Sequence, residues 1–230
     1  MGRDAPCSVA NLCQTGPAHR NVKDEIDCHN DSMTECHLDK IDGIRVLRLS
    51  SADGTNRLTR CCVEAFTQVM EALEQDPQPL VITGNAHFFS AGAELAEIAS
   101  LTAPEAYEFS KMGQRLMAAI TDFPAPVIAA IGGYCMGGGL DLALACHHRI
   151  AAPNSIFGHR GAALGLITGW GGTQRLPRLV NKARALQMFV AAEKLHAADA
   201  LRIGLIDRIA KDPVAEAIRR LASCRDNRLA

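Results

Sequence analysis

Short apolar runs and longer amphipathic segments alternate along this chain from residue 44 onward. Residues 44–49 (Ile-Arg-Val-Leu-Arg-Leu) carry the apolar and polar alternation of a strand, and Asp53-Gly54 marks a turn after it. Over about 58–74, Val63, Phe66, Val69, Met70 and Leu73 fall on one face, which predicts a helix buried along that side. A second strand is predicted over 79–84 and a helix over about 104–121. Pro124 and Pro126 then lead into a strand over 127–131 with a glycine-rich exit, and a final helix is predicted over 214–224. Strands separated by helices predict an α/β domain whose apolar strands are covered by helices. Ligands in such folds sit at loops beyond strand ends, where the glycine-rich segments fall. Residues 1–37 are polar and lack either periodicity, so they are expected to form a disordered tail ahead of a core spanning 38–210, with 211–230 as a C-terminal helical segment.

Composition narrows the function classes. With 230 residues, 48% of them hydrophobic, the chain can bury one sizeable core but not two large ones. The formal net charge is −1 and Lys and Arg are scattered, which argues against nucleic-acid and membrane-surface partners and for a small-molecule substrate. No segment is apolar and long enough to cross a bilayer. The N-terminal stretch lacks the apolar run of a signal peptide, and Asp24, Glu25, Asp27, Asp31 and Glu35 make it too acidic for a transit peptide. Nine cysteines form an odd, irregular set, and several, such as Cys61, Cys62 and Cys146, lie in apolar runs. That pattern suits free thiols in a reducing compartment, and a cytoplasmic location is expected. Cys7, Cys13, Cys28-His29 and Cys36-His37 are zinc-binding types without the short spacing of a structural site, so no metal is expected.

Two segments carry the candidate chemistry: residues 88–95, Phe-Phe-Ser-Ala-Gly-Ala-Glu-Leu, and residues 132–143, which contain the triplet Gly137-Gly138-Gly139. A glycine triplet lets a ligand approach main-chain amides without a Cβ in the way, and the helix that follows aims its unpaired amides at the same spot. Such a triplet also serves plain helix–strand packing, so by itself it decides nothing. Together with residues 126–131, Phe157-Gly158, residues 171–180 and residues 200–206, these segments resemble the signatures of the enoyl-CoA hydratase/isomerase (crotonase) family. The resemblance runs in the family's order and spacing from about residue 40 to about 210.

That resemblance implies a crotonase-like spiral of ββα repeats, assembled as a homo-trimer or a hexamer. It implies an acyl-CoA substrate whose thioester oxygen accepts hydrogen bonds from the backbone amides of Ala93 and Gly138, stabilising an enolate. Coenzyme A then enters as part of the substrate and no separate cofactor is expected. Arg57, Ala91, Glu94, Leu95, Ala96 and Gly137 are carried over as substrate-binding positions.

The chain departs from the family pattern at its acid/base positions. Asp141 stands where the first catalytic glutamate of the hydratases belongs, although an Asp in a first helical turn also caps amides. Gly161 occupies the place of the second glutamate, and Gly169 the place where some isomerases carry an aspartate. His159 offers an imidazole beside these gaps as a substitute acid or base, or as a pocket-edge hydrogen-bonding group. His147 and His148 are read as structural. The C-terminal helical region is shorter than the family's, which is expected to change assembly or leave part of the acyl pocket uncovered. An enoyl-CoA hydratase is expected, with double-bond isomerisation or decarboxylation of a malonyl-type thioester as related alternatives. A CoA-thioester-binding or scaffolding protein is the alternative of another class.

Overall fold

The computed structural model describes residues 34–226. It opens with an antiparallel hairpin of β1 (Glu35–Ile41) and β2 (Ile44–Ser50), followed by β3 (Arg57–Leu58) and α1 (Arg60–Leu73). Three similar turns of chain follow. The first holds β4 (Leu80–Thr83), β5 (Phe88–Ser90), β6 (Gly92–Ala93), α2 (Leu95–Ser100) and α3 (Ala103–Thr121). The second holds β7 (Val127–Ile131), β8 (Tyr134–Met136) and α4 (Gly138–Ala145). The third holds β9 (His148–Ala151), β10 (Ile156–Gly158), α5 (Gly172–Val180) and α6 (Lys182–Val190). The chain then passes through β11 (Leu195–His196), α7 (Ala197–Arg202) and β12 (Arg208–Ile209) to α8 (Pro213–Asp226).

Each turn places its first strand in one sheet and its second strand in another, then returns through helix. The larger sheet runs β1-β2-β4-β7-β9-β12 and is parallel from β2 onward; the smaller runs β11-β10-β8-β5, with β5, β8 and β10 parallel. Stacking one ββα unit on the next in register generates the spiral that the family resemblance implies.

Strand composition explains why the larger sheet is covered on both faces. Leu47, Leu49, Ile82, Ala129 and Ile131 face the main core beneath α1 and α3, whereas the intervening Val46, Val81, Ile128 and Ala130 face α8. Side chains alternate across a strand, so continuous apolar runs require cover on both sides. Ala217, Ile218 and Leu221 of α8 supply it on the outer face. Helix ends follow local chemistry. Thr59 accepts a hydrogen bond from the Cys62 amide at 3.2 Å to start α1, and Thr102 with Glu105 forms a capping box for α3.

The boundary expected at residue 37 falls inside β1 and is corrected. Glu35, Cys36 and His37 pair with Ser50, Leu49 and Arg48, and Cys36 is buried against Cys62. Polar composition hid a strand with one buried face, because β1 is an edge strand whose outward residues meet water. Within this strand Cys36 and His37 are successive residues and point to opposite faces, so they do not converge on a metal. No cluster of metal-binding side chains occurs among the described residues. Cys7, Cys13, Cys28 and His29 lie outside the described residues.

Candidate active site

The two glycine-rich segments meet where β6 passes the start of α4. Leu58 of β3 pairs with Ala93 through the Glu94 amide, which donates to the Leu58 carbonyl at 3.3 Å. Successive strand amides point to opposite sides, so the Ala93 amide faces away from β3. It faces Gly138, for a Cβ on Gly138 would lie 3.3 Å from the Ala93 nitrogen, and one on Gly92 would lie 3.1 Å from the Gly138 nitrogen. Gly138 is the first residue of α4, where amides have no intrahelical acceptor. Gly137 before it has φ +51, a conformation that favours glycine and turns the chain sharply into the helix.

Both amides open on one cavity of about 630 Å³. Its walls are mainly apolar, with Ile98, Leu101 and Phe109 on one side and Leu186, Phe189 and Val190 on another. Asp141 and His159 lie in the same cavity wall. Asp141 is 1% exposed and His159 3% exposed, and Asp141 Oδ1 stands 3.4 Å from His159 Nε2. The Thr168 hydroxyl donates to Asp141 Oδ2. The Asp141 side chain makes no hydrogen bond to its own helix, and the amide near its carboxylate belongs to Gly172, the first residue of α5. The imidazole is braced by Phe189, with ring centroids 5.1 Å apart.

Burial governs the protonation of this pair. It pushes the Asp141 carboxyl up to about 7, against the pull of the Thr168 hydroxyl, the Arg175 guanidinium and the Gly172 amide. It lowers His159 to about 4. Between these values the two groups hold a single proton, which sits on the carboxyl. The Gly172 amide helps to hold down the carboxyl pKa, yet neither Asp141 Oδ1 nor His159 Nε2 completes a hydrogen bond. Two buried polar atoms without a completed hydrogen bond beside a cavity are uncommon in folded proteins and mark this pair as a candidate for proton exchange.

A sequence model described as Enoyl-CoA hydratase/isomerase matches residues 39–225. The chain belongs to this family. It is 39% identical over 175 residues to a crotonyl-CoA hydratase of Syntrophomonas wolfei, covering 75% of this chain and 67% of that protein. It is 42% identical over 160 residues to a probable enoyl-CoA hydratase of Bacillus subtilis, covering 68% of this chain and 62% of the relative. The chain thus spans about two thirds of the length of these relatives. Its fold matches the crystal structure of an enoyl-CoA hydratase from Bacillus anthracis with a TM-score of 0.78 at 29% identity, over 82% of this chain and 75% of that one.

Against the family pattern, the structure gives a steric account of the missing second glutamate. A Cβ on Gly161 would lie 2.7 Å from the Leu166 backbone carbonyl, and the Leu166 amide donates to the Gly161 carbonyl at 2.8 Å. The loop has closed on the glycine and leaves no room there for a side chain. Gly169 differs, because a Cβ there would meet only the Ser110 hydroxyl, at 2.7 Å.

Of the substrate-binding positions carried over, Ala91, Leu95 and Gly137 line the cavity. Arg57, Glu94 and Ala96 do not. Arg57 instead pairs with Asp53 at 3.2 Å and Glu94 at 3.6 Å, while Glu94 caps α2 by accepting from the Ala96 amide at 3.2 Å. His147 is structural as expected, its Nδ1 accepting from the Val127 amide at 2.9 Å. Thr168, Trp170 and Phe189 are the wall residues that sequence reading missed. Thr168 and Trp170 flank Gly169, but nothing in their types reveals a hydrogen bond to Asp141 or an indole in the cavity wall.

Proposed function

We propose that this chain is an enoyl-CoA hydratase-type enzyme that takes an acyl-CoA thioester. The observation that carries this reading is the convergence of the Ala93 and Gly138 amides on the cavity that also holds the open Asp141–His159 pair. The thioester oxygen accepts from both amides, so charge developing on that oxygen meets donors already in place. A water molecule held on the cavity side of Asp141 and His159 attacks the β-carbon of the enoyl group. Its proton passes to the ionised Asp141, the enolate forms at the amide pair, and a proton returned to the α-carbon completes net addition of water. His159 orients the water, and Thr168 holds the Asp141 carboxylate through Oδ2. Coenzyme A enters with the substrate, and the scheme needs no other cofactor.

The names of the two relatives above, both hydratases, support this reading. The closure of the loop on Gly161 favours one second reading, double-bond isomerisation, since moving a proton between α- and γ-carbons requires one carboxylate rather than two. Exposed Leu164, Ile167, Leu186 and Val190 support a trimeric or hexameric assembly that covers them. Cys36, Cys62, Cys135 and Cys146 are buried thiols outside any disulfide, which fits a cytoplasmic location.

Hydration of crotonyl-CoA, followed as loss of the conjugated thioester absorbance, tests the proposal. Steady turnover is expected. Acyl-CoA binding without hydration, but with conversion of a 3-enoyl-CoA, would replace hydration by isomerisation. Binding with neither reaction would leave a thioester-binding protein.

A further inference from the structure

Resting on the acyl-CoA reading, we infer that the Trp170 indole is the end wall of the acyl branch of the cavity and selects substrates by chain length. The ring is buried between α3 and α4 in a slot that two glycines make. A Cβ on Gly113 would lie 2.1 Å from the indole, and one on Gly138 would lie 2.5 Å from Cζ3. The indole nitrogen donates to the Phe109 carbonyl at 3.2 Å, and the Phe109 ring packs against it at 5.3 Å between centroids. The indole is therefore fixed at both ends, with no free direction in which to swing aside.

Its position relative to the amide pair gives this packing a consequence for binding. Gly138 offers its amide to the thioester oxygen and touches the indole with its α-carbon side, so the wall begins within a few atoms of the reacting carbonyl. Ile98, Leu101, Ala106 and Phe109 continue the apolar lining on that side, whereas the acid/base pair occupies the other. An acyl chain that leaves the thioester away from Asp141 runs along this lining and meets the indole. A smaller residue at 170 opens the slot between α3 and α4 and lengthens the branch.

Trp170 is the single tryptophan of the chain, so native fluorescence reports this contact directly. Native protein is titrated with coenzyme A, butyryl-CoA and octanoyl-CoA, with red-edge excitation, alongside calorimetry of the same ligands. Saturated thioesters keep the readout independent of turnover. Acyl-CoA is expected to change the emission and free coenzyme A to leave it unchanged. Trp170→Ala is expected to raise affinity for octanoyl-CoA relative to butyryl-CoA by about tenfold, the effect of a few newly buried methylenes. Trp170→Phe, which keeps an aromatic ring in the slot, gives a smaller shift in the same direction and serves if the alanine variant fails to fold. Calorimetric binding with no emission response, or an equal affinity loss at every chain length, overturns the inference and leaves the thioester reading standing. Absence of binding by every acyl-CoA overturns both.

Discussion

Two buried polar clusters in this molecule are built on opposite principles. Arg149, in β9, is 4% exposed and fully engaged. Its Nε donates to the Leu205 carbonyl at 3.0 Å, one terminal nitrogen donates to the Cys146 carbonyl at 2.7 Å, and the other lies 3.3 Å from Asp207. Asp141 and His159 are equally buried, yet they face each other across 3.4 Å with no completed bond between them. A buried charge with every nitrogen matched ties elements together, here β9 to the end of α4 and the approach to β12. A buried pair held near neutrality by desolvation, and set in the wall of a cavity, is arranged to exchange a proton.

Removing one member from each cluster separates the two roles with the largest expected effects. Asp141→Asn is expected to lower crotonyl-CoA turnover by about 10²–10⁴-fold. The same change should leave stability at neutral pH within about 1 kcal/mol, because the amide closely matches a carboxyl that is half protonated there. Arg149→Leu reverses the pattern: a loss of about 3–5 kcal/mol in urea denaturation, with KM unchanged. Unfolding by Asp141→Asn together with a neutral Arg149→Leu would show that the structural and chemical clusters had been exchanged.

The pH dependence of stability sharpens the comparison further. Asp141 is raised from its ordinary 3.8 to about 7, so between these values the folded protein keeps a proton that the unfolded chain has lost. Its contribution therefore falls as pH rises from about 4 to about 7. His159 is lowered from 6.5 to about 4, and there the unfolded chain holds the extra proton, so its contribution rises over about 4 to 6.5. The two slopes oppose each other and nearly cancel in the native protein. His159→Gln unmasks the first, and its stability should decline by roughly 3–4 kcal/mol across that window. Asp141→Asn should show a rise of roughly 3 kcal/mol instead. Parallel stability curves for native protein and both variants would refute the shared burial of the pair.

Much of this contrast was legible in the sequence, although not all of it. The helices over 60–73 and 103–121 and the strands β2, β4 and β7 announced themselves by periodicity, because each buries a continuous face. The amide pair was legible only through the family resemblance, since a glycine triplet alone serves helix–strand packing equally well. The short strands β5, β8 and β10 were not, since three residues are too few to establish a period. His159 and Asp141 were visible as types but not as partners, because 18 residues of chain and a strand change separate them. The pairing is a product of stacking the second turn of the spiral on the third.

Gly161 gives a prediction of intermediate size. Adding the family glutamate, Gly161→Glu, should cost about 1–3 kcal/mol of stability because the side chain must displace the Leu166 carbonyl. Hydration should not increase. A faster variant of unchanged stability would mean that the loop opens readily and that a second carboxylate is all the site lacks.

Thr168→Val gives the smallest and most specific test of the open pair. The Thr168 hydroxyl stabilises the ionised form of Asp141, so its loss should raise that carboxyl still further above its ordinary value. A hydrogen bond to a charged group contributes roughly 1.5 kcal/mol, which corresponds to about one pH unit. Since the proposed base is ionised Asp141, turnover should rise with pH through a limb near 7 in native protein and through a limb about one unit more alkaline in the variant. Well above both limbs the two proteins should turn over at similar rates. A uniform loss at all pH values would instead assign Thr168 to orienting the carboxylate alone, whereas a shift to lower pH would contradict the donor's direction and with it the role of Asp141 as base.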